Sequence, residues 1–365
     1  MLRALPLAYG AWVLASLRSL RSPGSTPAPG VSVVIPARDE AENLPGLLAS
    51  LARQEPRPEE VVVVDDGSFD ATRAVASGYG ARVVSGGGGK ASSLALGAEA
   101  TKAPVLVFVD ADVLFERSDS LRSVVEELLA IPGGLVSVEP FHAPGTGVEH
   151  CSAMANLVSV LSTAVAADRV PGSRTPAVAF GPVMAIRRSD YVALGGHRAL
   201  LSSTGAEPIL DDVMLARLAA ASGRRVRWLL GGDLISFRMY RAGRSALVEG
   251  WAKNLASGAA SAPKLGALAA TAWVAGALSS WAVLAGPRTR PLARLGALGL
   301  VVSYGAEARS LLRRIGRFSW WTWAALPVSL GAFMVLSAWS AWLTWVRGSV
   351  TWRGRVLVAG PRGRS

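Results

Sequence analysis

The sequence predicts an α/β fold, and three observations carry that expectation. Strand and helix patterns alternate from residue 31 to about residue 140, the strands are unbroken apolar runs, and two of those runs end in paired acids. Strands that are apolar on both faces belong in a parallel sheet with helices covering both sides. In such sheets ligands bind beyond the carboxyl ends of the strands, which is where both acid pairs fall.

Taken in order, Val31-Ser32-Val33-Val34-Ile35 reads as the first buried strand. Leu44, Leu47, Leu48 and Leu51 recur at helical spacing and predict a helix over 40–51. The four β-branched residues Val61–Val64 form the second strand and run into Asp65-Asp66-Gly67-Ser68. A helix over 70–76, a short strand over 82–84 and a helix over 91–100 follow. The strand Val105–Val109 then ends in Asp110-Ala111-Asp112. Two carboxylates one residue apart repel each other, so either a cation sits between them or one acid turns to water. The plain reading of Asp65–Ser68 is a turn that caps the next helix, and it stands beside a binding role.

Two nucleotide motifs are absent. No G-x-G-x-x-G follows the first strand, and the run Gly86-Gly87-Gly88-Gly89-Lys90 has Val84 and Ala91 where a P-loop needs Gly and Ser or Thr. A flexible glycine run ending in lysine can still approach a phosphate in another geometry.

Charge divides the 365-residue chain. Its 38 Lys and Arg against 26 Asp and Glu give +12, but residues 241–365 alone carry +14 and the first 240 residues −2. The basic third is also the most apolar, a pairing that favours anionic lipid headgroups over nucleic acid. Leu265–Gly286 is an uncharged stretch of 22 residues and Ser319–Val346 one of 28, with tryptophans near both ends of the second. Both meet the roughly 20 residues a membrane span requires. Pro327 falls inside the second stretch, and Leu295–Ala306 reads as a short span or interfacial segment that stops at Glu307. Ala4–Leu17, between Arg3 and Arg18, reads as a short anchor. The one cysteine, Cys151, excludes an intrachain disulfide and fits a reducing compartment. The expected organisation is an anchor at 1–22, a catalytic domain at 31–240, an interfacial segment at 241–262 and a membrane region with a basic tail at 263–365.

The ordered set Val33–Glu40 with Asn43, then Val64–Ser68, then Asp110-Ala111-Asp112 resembles the family 2 glycosyltransferases of GT-A fold. Phe180–Arg188 with Gly195-Gly196-His197 resembles that family's acceptor-side segment, and Leu210–Ala216 its Glu/Asp-Asp motif. Arg238-Met239-Tyr240, Glu249–Asn254 and Val138–His142 with Glu149 and Asn156 are similar to the bacterial carotenoid-type, diaponeurosporenoate glycosyltransferase-like members. Thr351–Arg355 resembles a motif of membrane-attached members, whereas the Gln-x-x-Arg-Trp of processive synthases is missing.

The resemblance implies a GT-A, Rossmann-like, mostly parallel sheet with helices on both faces, followed by transmembrane helices. It implies an inverting, metal-dependent transfer of one sugar from a nucleotide-sugar donor, UDP-linked, to a carotenoid- or isoprenoid-type lipid. A glycolipid or polyprenyl-phosphate glycosyltransferase is the alternative, and a non-catalytic nucleotide-binding membrane protein the rival from another class. Pro36, Arg38 and Glu40 then shape the nucleotide pocket, Asp65 or Asp66 meets the base, and Lys90 approaches the diphosphate. Asp112 and Asp110 hold Mg²⁺ or Mn²⁺, with Asp110 also reaching the donor. Asp212, beside Asp211, is the candidate general base. Arg238, Tyr240, Trp251, Lys253 and Asn254 are assigned to the acceptor or the membrane surface. The expected location is the inner membrane, multi-pass, with the catalytic domain in the cytoplasm. His142, His150 and His197 lack metal-ligand spacing and read as structural.

Overall fold

The computed structural model of the chain describes residues 3–24, 29–204, 208–241, 243–352 and 355–358. The first two residues of the expected anchor, Arg353 and Gly354 of the Thr351–Arg355 motif, and the tail from residue 359 lie outside the described residues. The chain forms two compact units, one built from Arg18–Phe141 and Ala166–Arg238, the other from Met1–Leu17, His142–Val165 and Met239–Ala359.

The first unit holds an eight-stranded sheet. Its strands belong to the series β1 (Val31–Ala37), β2 (Glu60–Asp65), β3 (Arg82–Ser85), β4 (Val105–Val109), β5 (Val113–Phe115), β6 (Gly134–Glu139), β7 (Phe141–His142), β8 (Asp168–Arg169), β9 (Val183–Arg187), β10 (Arg225–Leu230) and β11 (Ile235–Phe237). The sheet order is β3-β2-β1-β4-β9-β6-β10-β8. The first four strands are mutually parallel, β9 runs antiparallel between β4 and β6, and β10 is parallel to β6 and antiparallel to β8. The sheet is therefore mostly parallel, as expected, with one reversed strand in its middle.

Val33, Val34, Ile35, Val63, Val64, Leu106 and Val107 are fully buried. Burying each such side chain contributes about 1.5–3 kcal/mol, which fixes the register of the inner strands. In that register Ala37 lies opposite Asp65 and Asp65 opposite Ser85, so the strand ends form one edge. The helix Lys90–Glu99 crosses this sheet closely: a Cβ on Gly97 would lie 2.3 Å from the Val34 side chain. The close approach brings the first turn of that helix, with Lys90, over the carboxyl edge.

The second helix begins at Leu44 rather than near Glu40. Residues 40–43 instead form a turn tied to the neighbouring loop, the Glu40 N–H donating to Thr72 Oγ1 at 2.8 Å and the Ala41 N–H to Asp70 at 3.0 Å. Pro45 then sits in the first helical turn, where its missing N–H costs nothing. The helix expected over 70–76 spans Thr72–Gly78, with Asp70 accepting the Thr72 N–H at 2.9 Å ahead of it.

Among its described residues the second unit is mainly helical, with a short hairpin of Ser349–Trp352 and Arg355–Val358. Its helices are Leu5–Ser16, Ala153–Thr163, Arg244–Ser261, Lys264–Ala285, Pro291–Ile315, Trp321–Ala324 and Leu326–Trp342. Arg314 closes the end of the first, donating to the carbonyls of Leu14 and Leu17. The segment expected to stop at Ala306 is part of one 25-residue helix that runs through Glu307. The Trp273 indole N–H donates to the Glu307 carboxylate at 2.6 Å, and Gly10 leaves room for it. Pro327 stands in the first turn of Leu326–Trp342 and starts that helix, so the long uncharged stretch is two helices. Leu326–Trp342 runs on as a π-helical turn over Leu343–Arg347, and Lys264–Ala285 and the combined Leu326–Arg347, 22 residues each, are long and apolar enough to cross a membrane.

Candidate active site

Three of the parallel strands, β2, β4 and β6, end in or run into an acid at the carboxyl edge of the first unit: Asp65, Asp110 and Glu139. Asp65 and Asp66 follow β2 and are buried. Asp65 accepts the Ser68 N–H at 3.0 Å and meets the Arg73 guanidinium at 3.3 Å. Asp66 accepts the Gly89 N–H at 3.2 Å. Gly89 has φ +99°, a conformation that favours glycine, so this end of the glycine run turns directly into the helix that Lys90 opens. Following β1, Glu40 is buried while Pro36 and Arg38 are half-buried. Asp39 takes a positive φ of 52° and clamps the facing loop, donating to Ser68 Oγ and accepting from the Phe69 N–H.

Beyond β4, Lys90 Nζ lies 2.6 Å from Asp110 Oδ1, with both side chains about a third exposed. The Asp110 N–H donates to the Pro182 carbonyl at 2.9 Å, and the Asp112 carbonyl accepts the Arg238 N–H at 3.2 Å. Next to Pro182, Gly181 packs against Asp212, so that a Cβ there would lie 3.0 Å from the carboxylate. The segment before β9 therefore touches both acid pairs, Asp110 through Pro182 and Asp212 through Gly181. Asp211 and Asp212 open the helix Asp211–Ala221, where acids are favoured by the helix dipole.

The electrostatics follow from this crowding. Burial pushes the Asp212 carboxyl up to about 7, adjacent Asp211 adds to the rise, and Lys90 opposes it. Burial alone would lower the Lys90 ammonium, but the carboxylates of Asp110, Asp211 and Asp212 outweigh it and hold the charge well above its usual range. Glu139, which ends β6, is pushed up to about 8 by burial and then by Asp212. Glu139 entered the sequence reading only as part of a longer pattern. Its position as an acid ending an apolar run, like Asp110, is the signal that finds it.

Asp110 and Asp112 offer two hard carboxylate groups at one strand end. Among the described residues no group of three or more His, Cys, Asp or Glu side chains is arranged to hold a metal ion. The pair suits a divalent cation that takes one or two carboxylates and completes its shell from phosphate oxygens and water.

The residues assigned to the acceptor divide between the units. Arg238 ends the first unit, whereas Tyr240, Trp251, Lys253 and Asn254 belong to the second. Trp251 is buried, with its indole N–H on Ser152 Oγ at 3.0 Å and its ring centroid 6.0 Å from that of Tyr240. Tyr240 itself has φ +61°, an outlier for an aromatic residue. Lys253 and Asn254 are half-buried on the helix Arg244–Ser261.

Comparison with known proteins agrees with this architecture. The sequence model of glycosyl transferase family 2 matches residues 32–150. A 4,4'-diaponeurosporenoate glycosyltransferase of Staphylococcus haemolyticus (strain JCSC1435) is 34% identical over 264 residues, 70% of this chain and 68% of that protein. One of Staphylococcus aureus (strain USA300) is 32% identical over 334 residues, 89% of this chain and 87% of that protein. In fold, the chain is similar to a mannosyltransferase from Pyrobaculum calidifontis, described in complex with GDP-Man and Mn2+. That match has a TM-score of 0.51 and 22% identity, and covers 93% of this chain and 99% of that one. With identity at this level over most of its length, the chain belongs to glycosyl transferase family 2, as an enzyme related to the bacterial diaponeurosporenoate-type glycosyltransferases.

Proposed function

We propose that this enzyme, which transfers a sugar from a nucleotide-sugar donor, uses a UDP-linked donor and delivers a single sugar, with inversion, to a lipophilic acceptor of carotenoid or isoprenoid type. The observation that carries the reading is the contact of one segment, Gly181-Pro182, with both Asp212 and Asp110. It puts a candidate base and a candidate donor-binding acid within one cluster.

In this reading Lys90 and Asp110 face the diphosphate and sugar of the donor, and Asp65, Asp66, Arg38, Glu40 and Pro36 enclose its nucleoside. Asp112 and Asp110 would hold a divalent cation, which when bound neutralises charge on the leaving diphosphate. The acceptor oxygen attacks the anomeric carbon from the face opposite the diphosphate. The new C–O bond forms as the bond to the diphosphate oxygen breaks, and an α-linked donor yields a β-glycoside. For a hydroxyl acceptor Asp212 takes the proton. A carboxylate acceptor is already ionised at neutral pH and needs no base. The substrate named for the staphylococcal relatives is such a carboxylate.

The two long apolar helices support delivery of the acceptor from the bilayer, with the enzyme in the inner membrane and its catalytic unit in the cytoplasm. Calorimetric titration of the full chain with UDP, with and without Mn²⁺, tests the donor site. Metal-dependent binding that disappears in Asp112→Ala is expected. A folded wild-type protein that binds GDP but not UDP would overturn the choice of donor, and metal-independent binding the role of Asp112.

A further inference from the structure

We infer that His197 is a positioning residue for Asp211, held by Tyr191 in the one tautomer that directs a ring N–H at that carboxylate. The inference rests on the proposed catalytic reading of the Asp211-Asp212 pair.

The geometry begins with two glycines. Gly195 and Gly196 have φ +73° and +52°, and a Cβ on Gly196 would lie 2.3 Å from the Tyr191 ring. Only glycine at position 196 lets that ring come so close to the start of the helix Gly196–Thr204. The Tyr191 hydroxyl then accepts the His197 backbone N–H at 3.1 Å and lies 2.9 Å from His197 Nδ1. Tyr191 is buried, and among the described residues Nδ1 is the acceptor its O–H meets. Donating there satisfies the phenol and makes Nδ1 an acceptor.

A neutral imidazole with Nδ1 accepting carries its proton on Nε2. His197 Nε2 lies 3.9 Å from Asp211 Oδ2, and each of these atoms is buried with no hydrogen-bond partner. Two buried polar atoms of matching chemistry thus face each other, a donor and an acceptor slightly too far apart to bond. Phe108 packs against the imidazole edge to face at 5.0 Å. Burial also keeps it neutral, lowering its pKa to about 4 despite the opposing pull of Asp211. A closure of a few tenths of an ångström would make this pair a hydrogen bond that orients Asp211, and through the adjacent backbone Asp212, without placing a second positive charge in the cluster.

The full chain in detergent micelles, labelled with ¹⁵N-histidine, carries only three histidines, so His197 is assigned by comparison with His197→Phe. The expected spectrum is that of a neutral Nε2-protonated ring, perturbed at Nε2 by Asp211→Leu and switched or averaged by Tyr191→Phe. A charged or Nδ1-protonated ring, or one indifferent to Asp211→Leu, overturns the inference. With UDP-glucose and a hydroxylated carotenoid as probes, His197→Phe should lower kcat roughly tenfold to hundredfold while leaving UDP affinity within error. His197→Gln, whose amide N–H takes the place of Nε2–H, should recover most of the loss. Equal losses in both variants, or none in His197→Phe, overturn it as well. If Asp212→Asn turns over as fast as wild type, the catalytic reading fails, and the tautomer spectra still decide whether Tyr191 and His197 orient Asp211.

Discussion

Lys90 Nζ lies 2.6 Å from Asp110 Oδ1 at the carboxyl edge of the sheet, where the donor site is proposed. It is the cation that the close acids of this edge share: the carboxylates of Asp110, Asp211 and Asp212 all act on it. A diphosphate entering the site would compete for this ammonium, so binding of the donor and the charge state of Asp212 are coupled through one side chain.

Lys90→Met should therefore have two effects. UDP affinity should fall roughly tenfold to hundredfold, the 1.5–3 kcal/mol typical of a hydrogen bond to a charged group. The pH at which activity appears should also rise, because Lys90, with the Val213 N–H, opposes the upward push on Asp212. Calorimetry reads the first effect and a pH–rate profile the second. Weaker binding with an unmoved profile would separate Lys90 from the base.

In its proposed role Asp212 can accept a proton only when ionised. With its carboxyl at about 7, kcat/KM for a hydroxyl acceptor should climb as pH rises through 7 and level off above it. Asp212→Asn should remove the limb and lower kcat about 10²–10⁴-fold. For a carboxylate acceptor the same substitution should cost far less. Assaying the variant with 4,4'-diaponeurosporenoate and with a hydroxylated carotenoid distinguishes the two chemistries, and equal losses on both would assign Asp212 another task.

Much of this site is legible in the sequence because its acids end strands that announce themselves. Val61–Val64 and Val105–Val109 are too apolar to be anything but buried, so Asp65, Asp66, Asp110 and Asp112 had to emerge at one edge. What the sequence hides is set by tertiary contacts. The reversed strand β9 reads as a motif, and nothing local says that it inserts between β4 and β6 to present Gly181 and Pro182 to the acids. Glu307 looks like the end of a helix until the Trp273 N–H supplies its partner. Pro327 reads as the interior of one long span until the first turn of its helix is seen to start beside it.

Glu139 makes a prediction about stability. Its carboxyl has an ordinary value of 4.5 and is pushed to about 8 in the fold, so the folded chain holds this proton more tightly than the unfolded one. Stability from this group is then complete below the unfolded value and falls as pH rises toward 8. Glu139→Gln has no proton to lose. Its melting midpoint should match wild type near pH 5 and exceed it by roughly 5 °C near pH 9, a few kcal/mol for a unit of this size. A constant difference across that range would mean that Glu139 is ionised in the fold.

Cys151 is the only cysteine in the chain and is exposed, so the unaltered protein carries its own topology reporter. It stands in the second unit, in the turn that leads into the helix Ala153–Thr163. If the chain is held in the inner membrane with this region in the cytoplasm, a membrane-impermeant maleimide should leave Cys151 unlabelled in intact cells. The same reagent should label it in inverted vesicles and in detergent, and Cys151→Ser should abolish all labelling. The protein should also stay with the membrane through a carbonate wash, because each of the two 22-residue apolar helices is long enough to span the hydrocarbon layer. Labelling in intact cells would put Cys151 on the outer face and take the acceptor site away from the cytoplasmic pool of nucleotide-sugar. Release by carbonate would mean that those helices lie against the bilayer, and the acceptor would then have to leave the membrane to react.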